Sequence, residues 1–239
     1  MAGRALEVGS RKSEVGSPPC ADAWYDPQSE IRSPKSEIVV GVLALQGGVE
    51  KHIRMLERCE VRAIPVRLTE ELDAVHGLVI PGGESTTVGK LMARYGLDRD
   101  IIKRAKKGMP VFGTCAGMIL LAENIVGSEQ HRLGLMASTV LRNAFGRQVD
   151  SFEADLDISA IGPPAFRAVF IRAPYAVQVN GNIEILALYK GKGVLLKQGN
   201  LLASAFHPEL TDDSRIHQYF VGLVRQSLST QSSKPERSA

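Results

Sequence analysis

The sequence has few aromatic residues, little net charge and no long hydrophobic run, and each shortage excludes a class of protein. Phe, Trp and Tyr make up 5% of the 239 residues, which leaves few stacking platforms for single-stranded nucleic acid. The formal net charge is only +3, and the basic residues form no stripe that would follow a phosphate backbone. No apolar run is long enough to cross a bilayer. We therefore expect neither a nucleic-acid partner nor a membrane partner.

Cysteine is also scarce, and its spacing excludes two kinds of site. The sequence contains Cys20, Cys59 and Cys115, an odd number at wide intervals. This pattern fits neither a disulfide framework nor a set of zinc ligands. Free thiols are typical of a reducing compartment, so we expect a cytoplasmic protein. We also expect neither a metal nor a cofactor.

Both ends of the chain differ in composition from the part between them. Residues 1–37 are rich in Ser, Pro and Gly and show no apolar periodicity. They lack the continuous apolar segment of a signal peptide, and their scattered acidic residues argue against a transit peptide. Residues 229–239 have a similar composition. We predict a disordered N-terminal extension (1–37), one domain (38–228) and a disordered C-terminal tail (229–239).

The first two thirds of the predicted domain alternate between strand-like and helix-like patterns. Ile38 to Leu45 is a β-branched run of the kind found in parallel strands buried on both faces. The next stretch, E-K-H-I-R-M-L-E-R-C, has the pattern of an amphipathic helix. The alternation predicts a doubly wound α/β fold, in which helices flank a mostly parallel sheet and additional strands follow later. Further strands are predicted at 61–66, 78–80, 110–114, 136–142, 167–171, 185–189, 193–197 and 201–206, and helices at 88–95, 98–107, 116–123 and 213–227.

Three of the predicted strands end in turns that contain glycine, at 46–48, 81–85 and 114–117. The carboxyl ends of parallel strands meet at one edge of the sheet, where α/β proteins place their chemistry. In G-T-C-A-G, Gly113 and Gly117 flank the cysteine as in a nucleophile elbow with Cys in place of Ser. The following helix N-terminus would favour the thiolate. A buried cysteine that only packs in the core is the alternative interpretation of this motif alone.

Among the five histidines, His207 is the best candidate for the base that would serve this thiol. It follows the apolar stretch L-L-A-S-A-F and precedes Pro208, which restricts it to extended conformations. Residues i and i+2 of an extended segment lie on the same side, so Glu209 is expected to reach the imidazole. A carboxylate there would hold the imidazole in one tautomer, as the third member of a catalytic triad does.

The order Cys115…His207-x-Glu209, after a P-G-G-E loop, resembles that of the class I (triad) glutamine amidotransferases. More narrowly, the motifs P-G-G-E-S-T-T, R-N-A-F-G-R-Q, F-I-R-A-P and A-F-H-P-E-L look like those of the glutaminase-subunit family of pyridoxal 5′-phosphate synthase, also called SNO. The resemblance extends over about 38–224 without a large gap. It implies hydrolysis of L-glutamine to L-glutamate and ammonia in vitamin B6 biosynthesis.

The resemblance also implies the role of each residue. Cys115 would be the nucleophile, His207 the general base and acid, and Glu209 its orienting residue, with a γ-glutamyl thioester as intermediate. The backbone N–H groups of Gly83 and Ala116 would form the oxyanion hole. The residues expected to contact L-glutamine are Gly83, Glu84, Ser85, Arg142, Ile171 and Arg172. An Arg suits the α-carboxylate and Glu84 suits the α-ammonium group.

The resemblance implies a partner as well, the (β/α)₈-barrel synthase subunit that consumes the ammonia within a hetero-oligomer. Gln46 and Gly47, with the helix after them, look like the region that faces this partner and is linked to activation. The family usually has Glu-His where this sequence has Lys51-His52, which reverses one charge in that region.

Two other functions stay open at this point. The same chemistry could supply ammonia to a purine, histidine or other synthase, although P-G-G-E-S-T-T and R-N-A-F-G-R-Q favour the vitamin B6 pathway. A non-catalytic binding or regulatory protein on the same fold is the second alternative, which the presence of Cys115, His207 and Glu209 disfavours.

Overall fold

A computed structural model describes residues 38–144 and 151–232. Three of the features predicted above lie wholly or partly outside these ranges. They are the N-terminal extension with Cys20, residues 233–239 of the tail, and residues 145–148 of the R-N-A-F-G-R-Q motif.

The described residues form α-helices and strands in the alternating order that the sequence predicts. The helices are α1 (Val49–Glu57), α2 (Ser85–Tyr95), α3 (Leu97–Lys106), α4 (Ala116–Leu121) and α5 (Arg215–Ser232). The strands are β1 (Val39–Leu43), β2 (Arg62–Val66), β3 (Gly77–Ile80), β4 (Val111–Thr114), β5 (Ala122–Ile125), β6 (Met136–Leu141), β7 (Ser151–Leu156), β8 (Phe166–Ile171), β9 (Tyr175–Val179), β10 (Glu184–Tyr189), β11 (Lys192–Gln198) and β12 (Leu201–Ser204). Short 3₁₀ helices lie at Glu70–Ala74, Ser159–Ile161 and Pro208–Leu210.

The strands build one large sheet in the order β2-β1-β3-β4-β12-β11-β9-β6-β5, with β10 paired to β11. The first five strands in this order, β2-β1-β3-β4-β12, are all parallel to their neighbours. Phe112 of β4 lies in register with Val79 of β3 and Leu202 of β12. The carboxyl ends of β1, β3, β4 and β12 therefore face the same edge. This confirms the predicted α/β class with a mostly parallel central sheet.

The strands beyond β12 bring antiparallel pairing into the same sheet. β11 pairs antiparallel with β12, β10 and β9, and β9 pairs antiparallel with β6. β7 and β8 form a separate two-stranded sheet. β6, β8, β10, β11 and β12 correspond to the additional later strands that the sequence predicts, whereas β7 and β9 were not predicted. The end of β8 brings Ile171 to the cysteine described below.

The core is built by strands with every residue buried and by one face of each amphipathic helix. All four residues of β3 and of β4 are buried, as expected for central parallel strands. α1 contacts both β1 and α5, and α2 contacts α3 and α4. Within the described ranges, no helix combines the length and apolar character needed to cross a membrane.

Candidate active site

Cys115 occupies a sharp turn between β4 and α4. Its backbone has φ 49° and ψ −98°, a region that residues with a side chain rarely adopt, and its N–H donates to the carbonyl of Ser204 at 2.8 Å. A methyl group on Gly113 would lie 2.5 Å from the carbonyl carbon of Gly117. A methyl group on Gly117 would collide with the carbonyl of Ile80. Both glycines are therefore steric requirements of an elbow that projects a thiol from the strand edge.

His207 and Glu209 form a hydrogen-bonded pair beside this elbow. The Nδ1 atom of His207 lies 2.8 Å from the Oε1 atom of Glu209, and 2% of the glutamate side chain is exposed. The backbone route differs from the predicted extended segment, because residues Pro208–Leu210 form a 3₁₀ turn. The proline opens this turn, and the turn brings the carboxylate back under the imidazole.

Gly82 and Ile171 complete the surroundings of the thiol. A methyl group on Gly82 would lie 2.9 Å from the Nδ1 atom of His207 and 3.3 Å from the Cβ atom of Cys115, so only glycine fits between them. The sulfur of Cys115 lies 3.8 Å from the carbonyl oxygen of Ile171. Strand ends that are far apart in the sequence thus converge on one sulfur atom.

The electrostatics of the pair favour an imidazolium next to a carboxylate. Burial disfavours the charged form of His207, but hydrogen bonds to Cys115 and Glu209 outweigh this effect and raise the pKa of His207 to about 10. Burial likewise disfavours the Glu209 carboxylate, yet its interaction with His52 and the hydrogen bond from His207 lower the pKa of Glu209 to about 2. At neutral pH the site therefore holds a protonated imidazole that can transfer its proton.

The loop after β1 packs directly on the loop after β3. Gly47 has φ 106°, and a methyl group there would collide with the carbonyl oxygen of Gly82. The side-chain oxygen of Gln46 accepts a hydrogen bond from the backbone N–H of Glu84 at 3.2 Å. The predicted partner-facing residues thus touch the loop that carries Gly83.

The carboxylate of Glu84 is held by hydrogen bonds from the first turn of α2. Its carboxylate caps α2, accepting from the N–H of Thr87 at 2.7 Å and from the hydroxyl of Thr86. Burial acts against the carboxylate, but these donors prevail and lower the pKa of Glu84 to about 2. The group is therefore a permanent negative charge at the rim of the site.

Arg142 and Ser85 are joined through a residue that the sequence did not suggest. Arg142 lies 3.5 Å from the Oε1 atom of Glu84 and donates to the side-chain oxygen of Gln130 at 2.5 Å. The amide nitrogen of Gln130 donates to the hydroxyl of Ser85 at 3.0 Å. Gln130 lies in the irregular stretch between β5 and β6, where no periodicity or motif marks a functional position.

The structure places Arg172 directly after Ile171, again with unusual backbone geometry. Its φ is 43°, in the left-handed region that favours glycine, and its side chain is exposed. Because side-chain residues in this region tend to cluster at functional sites, the geometry fits a role at the rim.

Two polar side chains close to the His207–Glu209 pair also escaped the sequence-based prediction, Thr114 at the end of β4 and His52 on α1. A signal for His52 was available, since it shares the buried face of an amphipathic helix with Met55 and Leu56. Thr114 ends a fully buried strand, where a hydroxyl needs a partner. The described part of the chain contains no group of three or more His, Cys, Asp or Glu side chains placed to hold a metal ion.

Comparison with known proteins gives consistent matches over the described domain. The profile of the SNO glutamine amidotransferase family matches residues 42–226. The pyridoxal 5′-phosphate synthase subunit PdxT of Moorella thermoacetica is 55% identical over 185 residues, which covers 77% of this chain and 98% of that protein. PdxT of Pelotomaculum thermopropionicum is 57% identical over 182 residues, covering 76% of this chain and 93% of that protein.

Solved structures agree with this assignment. A crystal structure described as a glutamine amidotransferase is 49% identical, superposes with a TM-score of 0.75, and matches over 78% of this chain and 98% of its own. A putative GMP synthase subunit from Thermoplasma acidophilum has a TM-score of 0.62 at 17% identity, covering 82% of this chain and 98% of its own, which shows the fold alone. Together with the elbow cysteine and the His207–Glu209 pair, these matches show that the chain belongs to the SNO glutamine amidotransferase family.

Proposed function

We infer that the chain is the glutaminase subunit of a pyridoxal 5′-phosphate synthase and hydrolyses L-glutamine to L-glutamate and ammonia for vitamin B6 biosynthesis. One observation carries the chemistry. Cys115 stands on a strained elbow against a hydrogen-bonded His207–Glu209 pair. The relatives with 55% and 57% identity, both named as synthase subunits, support the pathway.

The proposed reaction has two halves. The Cys115 thiolate attacks the side-chain carboxamide carbon of glutamine, His207 protonates the leaving nitrogen, and ammonia departs. Water, deprotonated by His207, then cleaves the γ-glutamyl thioester and releases glutamate. Glu209 holds the imidazole in the tautomer that both halves need. The N–H groups of Gly83 and Ala116 would stabilise the oxyanion, each by roughly 3–4 kcal/mol.

The amino-acid end of glutamine is proposed to bind across the rim of the site. Arg142 and Arg172 suit its α-carboxylate, while the permanent charge of Glu84 suits its α-ammonium group. Gly83, Ser85 and Ile171 would complete the contact set. The network from Ser85 through Gln130 to Arg142 supports this, because it holds the guanidinium in place.

The ammonia is proposed to pass to a (β/α)₈-barrel synthase subunit within a cytoplasmic hetero-oligomer. Released into water, ammonia would be mostly protonated and no longer nucleophilic, so direct transfer is chemically favoured. Gln46 and Gly47 are proposed to face that subunit, and their contacts to Glu84 and Gly82 would transmit docking to the oxyanion loop. The catalytic domain is proposed to span 38–228, although α5 continues to Ser232, four residues past that boundary.

The glutaminase rate of the full chain, measured with and without the purified synthase subunit, tests this proposal. We expect slow glutamate formation by the chain alone and a clear rise when the synthase subunit is added. Equal rates in both conditions, or a stable complex with a different ammonia-consuming synthase, would contradict the proposed pathway.

A further inference from the structure

A cluster of fully buried polar side chains lies behind the catalytic pair and has no place in the mechanism above. His52 on α1 and His217 on α5 are both 0% exposed. The Nδ1 atom of His52 lies 3.0 Å from the Nε2 atom of His217. The Nε2 atom of His52 lies 3.2 Å from the hydroxyl of Thr114 and 3.3 Å from the Oε2 atom of Glu209. The cluster therefore touches the side of Glu209 that faces away from His207.

The geometry fixes the tautomer of His52. A lone pair on Nε2 would face the Glu209 carboxylate at 3.3 Å and repel it, so this contact favours the tautomer with the proton on Nε2. Nδ1 then accepts, and the proton it accepts comes from the Nε2 atom of His217. This leaves Nδ1 of His217 as a buried acceptor without a partner among the described residues.

The charge state agrees with this assignment. Burial, which exceeds the opposing pull of Glu209, lowers the pKa of His52. Burial and the neighbouring His52 lower the pKa of His217 to about 3. Both rings are neutral at neutral pH, so each has one N–H. The N–H of His217 points to His52, and the N–H of His52 points towards Glu209.

Thr114 extends the cluster to the other half of the active site. Its hydroxyl accepts the backbone N–H of Gly82 at 3.0 Å, next to the proposed oxyanion donor Gly83. The single N–H of His52 lies between this hydroxyl and the Oε2 atom of Glu209, for which no well-aligned donor exists within the described chain. One imidazole thus lies between the orienting carboxylate and the oxyanion loop.

We propose that His52 is a positioning residue. It holds the Glu209 carboxylate and the Thr114–Gly82 hydrogen bond in place, and His217 fixes the tautomer of His52. The proposal rests on the glutaminase function inferred above. His52 touches no substrate atom in that scheme. Its loss should therefore reduce the rate of chemistry and leave glutamine binding nearly unchanged.

Paired substitutions separate positioning from packing. Leu in His52→Leu fills the space but offers no donor, whereas the amide nitrogen in His52→Gln can take the place of Nε2. In complex with the synthase subunit, we expect His52→Leu to lower kcat about 10- to 100-fold, the range for a lost hydrogen bond to a charged group, with KM within about twofold. His52→Gln should recover most of that loss.

The matched control is His76→Asn, which removes a histidine that accepts the N–H of Val39 at the opposite end of β1. It should leave kcat unchanged. Thermal melting of each variant accompanies the kinetics. If His52→Leu keeps the parental kcat, or if both His52 variants lose kcat in proportion to their loss of Tm, the proposal is wrong.

A second pair keeps the test decisive if His52→Leu fails to fold. His217→Gln retains a donor for the Nδ1 atom of His52, and His217→Phe does not, in a site already lined by Phe112 and Phe220. We expect kcat to fall in His217→Phe and to hold in His217→Gln. Equal kcat in the two variants would overturn the assigned tautomer. An inactive parental complex would instead refute the proposed function itself.

Discussion

At the scale of single residues, Cys115 combines backbone strain with the proposed role of nucleophile. A side-chain residue at φ 49° and ψ −98° costs about 1–3 kcal/mol, and the fold retains it because β4, α4 and the Ser204 carbonyl all fix the same turn. Strained backbone of this kind tends to cluster at functional sites, which agrees with the proposed role of the thiol.

Replacing Glu209 tests the orienting carboxylate. Glu209→Gln keeps the shape but removes the charge that stabilises the His207 imidazolium. We expect kcat to fall by at least about tenfold, yet by less than the roughly 10⁴-fold of a serine triad, since a thiolate is the stronger nucleophile. Steady-state glutamate release by the complex measures this. An unchanged kcat would remove Glu209 from the mechanism.

Replacing Arg142 tests the proposed carboxylate site. Arg142→Ala should raise KM for glutamine by about 10-fold or more, because a charge-assisted pair is lost, and should change kcat less. Arg167→Ala is the control, since the exposed side chain of Arg167 pairs with Asp155 across β7 and β8. If both variants keep the parental KM, Arg142 does not bind the substrate.

At the scale of secondary-structure elements, the sequence predicted the parallel strands β1 to β4 and β12 well and the remaining strands incompletely. β1, β3 and β4 carry continuous apolar runs that identify buried strands. β5, β7 and β9 were missed. β7 alternates Glu153 and Asp155 with apolar residues in a two-stranded sheet, and β5 begins where α4 ends, two residues before the predicted end of that helix. These segments become strands through pairing with β6, β8 and β11, and they carry no continuous apolar run of their own.

The candidate site also contains residues that the sequence predicted and residues that it did not. Its motif residues could be predicted because each stands at a strand end with a recognisable neighbour pattern. Gln130 and Thr114 could not, because their roles come only from contacts formed between distant segments. The His207–Glu209 contact was expected from an extended segment and is made by a 3₁₀ turn instead.

Substitutions at two helical glycines test how closely the helix after the elbow packs on the sheet. A methyl group on Gly117 would strike the carbonyl of Ile80, whereas one on Gly222 in α5 meets nothing within 4 Å. Gly117→Ala should lower the free energy of unfolding by about 1–3 kcal/mol. Gly222→Ala should raise it by about 0.4–1 kcal/mol. Urea unfolding measures both, and equal effects would contradict the close approach of α4 to β3.

At the scale of the whole molecule, the buried histidines make stability depend on pH. The pKa of His217 falls from 6.5 to about 3 on burial beside His52. Below pH 6.5, His217 therefore binds a proton in the unfolded chain, whereas in the folded chain it stays neutral down to about pH 3. The contribution of His217 to stability is complete above pH 6.5 and declines towards pH 3, by up to about 1.4 kcal/mol per pH unit.

The variant His217→Gln removes this titration and keeps the donor to His52. Between pH 6.5 and pH 4, we expect it to lose less stability than the parent chain, with a difference in slope that approaches the value above. Guanidinium unfolding over this pH range checks the prediction. Parallel stability curves for parent and variant would show that His217 does not resist protonation in the folded state.

A comparison of two cysteine variants tests whether Cys115 is the nucleophile of a glutaminase. Ammonia release from glutamine is measured for Cys115→Ala and Cys59→Ala in complex with the synthase subunit. Cys59 is an equally buried free thiol that donates to the Met55 carbonyl at 3.1 Å. We predict a loss of about 1000-fold or more for Cys115→Ala and near-parental release for Cys59→Ala. Full ammonia release by Cys115→Ala would contradict this prediction.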